Sequence, residues 1–200
     1  MEHLQKSLFR QLQDEVARSG IGARTTESRQ WFMEKARDLR NINRRNLLTD
    51  LALEEKARPL PGRLYHYFYD PKHKDTLPYY DRFPLTLMVS PAENGFYGLN
   101  LHYLHPMTRA KLMDSLMAVA TNRRYNYNTK VKINYEILSK AKEYKEFKPC
   151  FKHYLTKHLR SRVVLIPASE WDIALFLPTE QFKGSTKTKV WNESKRIYRS

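Results

Sequence analysis

An α+β fold is predicted: a small SH3-like antiparallel β-barrel with helices inserted into it and flanking it at both ends. Two observations point there. Apolar residues recur at helical spacing near both termini, while residues 62–166 hold short aromatic and β-branched runs broken by turn signals. Three of those runs follow one another in sequence with a long first loop between them, an arrangement that suits an SH3-like barrel of about five strands. With 200 residues and a hydrophobic fraction of 41%, the chain can bury a real core. The expected organisation is a helical N-terminal arm (1–60), a barrel core with inserted helices (61–167) and a C-terminal extension with a terminal helix (168–200).

Leu4, Leu8, Leu12 and Val16 lie four apart, a narrow apolar stripe on a helix ending near Gly20 and Gly22. So thin a stripe predicts an arm that docks elsewhere, on this chain or another. Thr25 or Thr26 caps a second helix, with Trp31, Phe32, Ala36 and Leu39 inward and Arg29, Lys35, Arg37 and Arg40 on the other face. A third short helix holds Leu47, Leu48, Leu51 and Leu53, and Pro59 and Pro61 stop it. Gly62–Tyr69 and Arg82–Ser90 read as strands around a polar loop, Asp70–Asp81, and Pro84 argues for an edge or a bulge. Pro91–Gly95 carries the Asn-Gly turn signal, and Phe96–Leu104 is the next strand. Pro106 opens a helix whose buried face includes Met113, Leu116 and Met117. Lys130–Tyr135 alternates like a strand, and Ile137, Leu138, Ala141 and Tyr144 return to helical spacing. A further helix is expected from Pro149 through Tyr154, Leu155 and Leu159, then a strand at Arg162–Ile166. Ser169 caps a turn through Trp171, and Val190, Trp191, Ser194, Ile197 and Tyr198 form a terminal helix.

The formal net charge is +15, and it is uneven. Residues 121–200 hold 18 Lys/Arg against 7 Asp/Glu, so the C-terminal part is the expected electrostatic footprint for a polyanion. A single cysteine, Cys150, cannot form an internal disulfide. No apolar run approaches the ~18–20 residues that span a bilayer, and the N-terminus lacks an apolar signal core, so no membrane partner is expected.

Candidate chemistry is sparse. His102-x-x-His105, and Cys150 with His153, supply no complete zinc set, and neither a metal nor any other cofactor is expected. Asp70, Asp75 and Asp81 around Lys72, His73 and Lys74 could serve acid–base or divalent-ion chemistry, but turn formation and mutual pairing explain them as well. Basic residues are the strongest signal, because they neutralise phosphates and release counterions without reading sequence. The nucleic-acid candidates are Lys72, Lys74, Arg123, Arg124, Lys130, Lys132, Lys152, Lys157, Arg160, Arg162, Lys187 and Lys189. Tyr125 and Tyr127 lie among them and could stack on bases. Lys183–Lys189 has a flexible composition. Leu4, Leu8, Leu12, Trp191 and Tyr198 are candidate docking residues for protein neighbours.

Three stretches, Tyr69–Leu85, Gly95–Pro106 and Leu177–Trp191, together with Phe147–Leu155, resemble virion-associated proteins of large contractile-tailed bacteriophages, in a family labelled DNA end protector. The resemblance implies a non-enzymatic virion protein, made in the host cytoplasm, that binds phage DNA, including its ends, and docks on portal, neck, tail or baseplate proteins. It implies no catalytic residues. An architectural neck, tail or baseplate subunit without DNA contact is the alternative, and a barrel-type nuclease the second.

Overall fold

The computed structural model describes residues 6–56, 58–120, 122–130, 132, 133, 136 and 145–200. Three helices open the chain: α1 (Leu8–Arg18), α2 (Thr26–Asp38) and α3 (Arg44–Thr49). Each has a polar side chain accepting from the first turn's N–H groups, Ser7, Thr25 and Asn43 in order. Helix α4 (Pro106–Ala120) starts on proline, whose missing N–H costs nothing at a first helical position. A C-terminal helix, Lys187–Arg199, is capped by Thr186.

Five strands form one antiparallel sheet: β1 (Leu64–His66), β3 (Leu85–Ala92), β4 (Gly95–Asn100), β5 (Phe151–Leu155) and β6 (Val164–Ile166), in the order β5-β4-β3-β1-β6. A two-stranded ribbon pairs β2 (Tyr80–Asp81) with β7 (Phe182–Lys183). The β3–β4 hairpin turns at Glu93-Asn94, with Ala92 opposite Gly95 and Asn94 at positive φ. Gly95 is required there, since a Cβ would lie 1.8 Å from the Tyr154 carbonyl oxygen. The pairing skips Val89, a bulge that bends β3.

The two faces of the sheet differ. On one side Leu64, Leu87, Leu99 and Val164 join the helices in the main core, which draws side chains from Phe9 through to Val190. On the other side Tyr65, Tyr67, Tyr69, Met88, Phe96, Tyr154 and Val163 pack on one another, several with rings edge to face. The fold is therefore α+β, as expected. No closed barrel forms among the described residues: β5 and β6 are the sheet's edge strands, and Glu54–Lys56 lie along the outer side of β6.

Several elements differ from expectation. The segment after Pro149 is strand β5 rather than a helix, because β4 offers an unpaired edge along Gly95–Leu99. Within Lys130–Tyr135 the described residues 130, 132 and 133 are helical, not extended. Phe96–Leu104 ends as a strand at Asn100, whose side chain accepts from the His102 N–H and starts a 3-10 turn. Lys187 and Lys189 sit in the C-terminal helix, not in a flexible strap. Helix α1 docks on its own chain: Leu12 and Val16 are buried in the main core, and the Ser7 hydroxyl lies 3.4 Å from a Glu170 carboxylate oxygen. Leu4 and the helical spacing of Ile137, Leu138, Ala141 and Tyr144 lie outside the described residues.

Candidate nucleic-acid interface

A buried polar frame holds the candidate surfaces in place. The Asp81 carboxylate accepts four hydrogen bonds: from His102 Nδ1 (2.6 Å), Asn100 Nδ2 (3.2 Å) and the N–H groups of Phe83 and Gln181 (3.0 Å each). His102 Nε2 meets the Thr179 hydroxyl at 3.1 Å. Burial pushes the Asp81 carboxyl up, but the His102 contact and the two N–H donors outweigh it and hold it below the usual range. An aspartate, a histidine and a hydroxyl in line have the order of a catalytic relay. Here all three residues are buried, so no substrate reaches the hydroxyl and the line serves as an internal strut.

The strut positions a cleft. The His102 carbonyl accepts from Trp191 Nε1 (2.9 Å) and from Arg109 (3.3 Å). Arg109 is fully buried and also donates to the carbonyls of Leu104 (2.7 Å) and Leu175 (2.9 Å). Its guanidinium lies 5.7 Å from the Trp191 ring centre and Lys187 Nζ lies 5.6 Å from it. These groups line an open cleft of about 400 Å³ between α2, the start of α4 and the C-terminal helix, together with Arg37, Arg40 and Glu180. Glu180 is buried; its Oε1 lies 3.5 Å from Lys187 Nζ, and its Oε2 accepts no hydrogen bond. Burial raises the Glu180 carboxyl, but Arg109, His102 and Lys187 bring it below its ordinary value, so it stays ionised.

A second basic hollow, of about 320 Å³, surrounds Phe68. The Arg82 and Arg45 guanidinium carbons lie 5.0 and 6.0 Å from its ring centre, and Arg160 lines the same hollow. None of the three forms an ion pair among the described residues. A third groove, of about 420 Å³, lies between the loop 70–81 and β5 and includes Lys72, His73, Tyr79 and Lys152.

The twelve basic residues singled out in the sequence do not share one face. Arg160 joins the Phe68 hollow, Lys187 the Trp191 cleft, and Lys72 and Lys152 the third groove. Lys152 is half-buried, its Nζ 4.2 Å from the Tyr103 ring centre, and burial lowers its pKa. Arg162 is held by the chain: it pairs with Glu55 at 3.1 Å and donates to the Leu53 carbonyl at 2.9 Å. Lys74 pairs with Asp70 at 3.0 Å. Arg123, Arg124, Lys132, Lys157 and Lys189 are exposed, and Lys130 is half-buried. Tyr125 and Tyr127 are exposed, with Arg63 5.0 Å from the Tyr127 ring centre. Among the docking residues, Leu12 is buried, while Leu8, Trp191 and Tyr198 are half-buried within their own chain. Sequence reasoning missed Arg45, Arg82, Arg109 and Glu180, whose roles depend on what the fold brings beside them. It did single out Arg37 and Arg40 on the polar face of the second helix, which ends at Asp38, so that Arg40 lies in the turn beyond it; of that set, Arg29 pairs with Asp114 and Lys35 with Glu15, and the other two keep no ion pair among the described residues.

The family model described as Phage T4 terminal DNA protecting protein matches residues 3–199. The chain belongs to that family. Its description names protection of DNA termini, which agrees with the resemblance seen in Tyr69–Leu85, Gly95–Pro106 and Leu177–Trp191. Comparisons with curated proteins and with solved structures gave no match. Among the described residues no helix is long and apolar enough to cross a membrane, and no group of three metal-ligating side chains comes together.

Proposed function

We propose that the protein binds the ends of packaged duplex DNA as a non-enzymatic component of the phage particle, holding phosphates through arginines and lysines whose charge the fold leaves uncompensated. The family assignment over nearly the whole chain carries this reading. The net charge of +15 and the unpaired arginines at the Phe68 hollow and at the end of α2, Arg37 and Arg40, support it. Protection needs only occupancy that blocks a nuclease, so no catalytic group is required. In this reading the five-stranded sheet is an SH3-like barrel left partly open. Its order, the Val89 bulge and the 3-10 turn Thr156–His158 between β5 and β6 support that, as does the aromatic cluster inside its curve.

Docking on a second virion protein, such as a portal, neck, tail or baseplate subunit, is the companion role. Leu51, 91% exposed beside a hollow lined by Leu8 and Ile42, favours it. The end-binding role is tested with one labelled duplex in two forms, with open ends and with both ends closed by hairpins. Tighter binding of the open form, together with protection of that form from an exonuclease, is expected. Equal affinity for the two forms would sink the end-binding role and leave an architectural subunit.

A further inference from the structure

The Trp191 cleft combines four features that a nucleotide requires. It has an aromatic surface in Trp191, half-buried and fixed by its bond to the His102 carbonyl. It has cations at its rim: Arg37 in the last turn of α2 and Arg40 in the turn that follows, both exposed and with no ion pair among the described residues. It has a buried acceptor without a donor, Glu180 Oε2. Its volume, about 400 Å³, falls in the ~300–1,000 Å³ range of small-ligand sites. Leaving a buried carboxylate oxygen without a partner is costly, and such an atom in a cleft marks a place where a donor from outside fits.

We propose that this cleft takes one unpaired nucleotide at a DNA terminus, with the base against Trp191 and the Glu180 carboxylate, and the phosphate on Arg37 and Arg40. The assignment rests on the end-binding reading and gives it a site. Each of the four bases carries at least one N–H on its Watson–Crick edge, and every base has a π-face for stacking. Glu180 therefore accepts from any base, and the site needs no particular sequence. Inside a duplex those N–H groups are already used in pairing. The carboxylate thus discriminates against paired DNA, and a base is free to enter only at a frayed or overhanging end. Lys187 contributes positive charge at the same mouth, 3.5 Å from Glu180 Oε1, and adds to the larger effects of Arg109 and His102 that keep Glu180 ionised.

The test uses the full chain and a labelled duplex ending in one unpaired 2-aminopurine, with a second duplex carrying 2-aminopurine at an internal paired position and a third closed by hairpins. Binding is expected to quench the terminal probe and leave the internal one unchanged. Trp191→Ala is expected to abolish that quenching and to weaken binding of the open duplex about tenfold, a typical stacking loss. Because Trp191 also contacts the fold, Arg37→Gln/Arg40→Gln is the second variant. Both residues are exposed, so the thermal midpoint stays within a degree or two while open-end affinity falls at least fivefold and hairpin-closed affinity falls by less, so that end preference is lost. End preference that survives in both variants would overturn the cleft assignment alone. Absence of any end preference in the unmodified protein would overturn the end-binding reading and the cleft assignment with it.

Discussion

Removing the Asp81 carboxylate is expected to be the most damaging single truncation near the candidate surfaces. Asp81→Ala deletes the acceptor of four hydrogen bonds and leaves four buried donors, from His102, Asn100, Phe83 and Gln181, without a partner. Hydrogen bonds to a charged group are worth about 1.5–3 kcal/mol each, but four sharing one acceptor are not additive. Breaking a buried charged contact by removing one side costs about 3–5 kcal/mol, and we take that as the expected loss. With a urea dependence of about 2–3 kcal/mol per molar for a chain of this size, the unfolding midpoint falls by roughly 1.5 M. Asp81→Asn keeps one carbonyl oxygen for the two backbone donors and sets its amide against two other donors, so its shift is expected to be about half as large. The pH dependence follows the sign of the depressed carboxyl. Its contribution is present above the ordinary aspartate value of 3.8 and is lost as pH falls through the lower folded value, so the gap between wild type and Asp81→Ala narrows in acid. Urea unfolding followed by tryptophan fluorescence measures all three proteins. A midpoint shift under about 0.5 M for Asp81→Ala, or equal shifts for the two variants, would refute the strut.

Two further outcomes are expected. His66 is fully buried, donating from Nδ1 to the Pro84 carbonyl at 3.0 Å, and burial followed by His102 lowers its pKa to about 4. The unfolded chain takes up a proton near pH 6.5 and the folded chain only near pH 4. Stability is therefore unaffected above pH 6.5 and falls below it, by about 3 kcal/mol at pH 4, at ~1.36 kcal/mol per pH unit. His66→Gln is expected to remove that part of the acid destabilisation, and an unchanged pH profile of the urea midpoint would contradict it. Around Phe68, Arg45→Gln/Arg82→Gln/Arg160→Gln removes three unpaired cations. If each meets a phosphate, the slope of log affinity against log salt for duplex DNA drops by about 2.7, at ~0.9 per phosphate. An unchanged slope in an anisotropy series across salt places the DNA on another surface.

What the sequence determined by itself is what local spacing and composition encode. Thr25 as a cap, Pro106 opening α4, the tight turn within Pro91–Gly95 and the apolar face of the C-terminal helix each depend on neighbours within one element. The excess of positive charge needs only counting, and the family resemblance only long runs of matching residues. The tertiary structure decided which surfaces those elements share. Phe151–Leu155 has aromatic and apolar residues that suit helix or strand, and the free edge of β4 made it a strand. The apolar stripe of α1 could have covered any apolar surface, and the main core of its own chain took Leu12 and Val16. Arg162 and Arg160 look alike in sequence, yet one is held by Glu55 and the Leu53 carbonyl while the other keeps no ion pair among the described residues. Glu180 and Arg37 reach the same cleft from opposite ends of the chain, and Asp81 is bonded to Gln181 a hundred residues away. Periodicity reports which face of an element is apolar. Which residue lies opposite depends on closing loops of that length, and packing and pairing across the whole chain settle it.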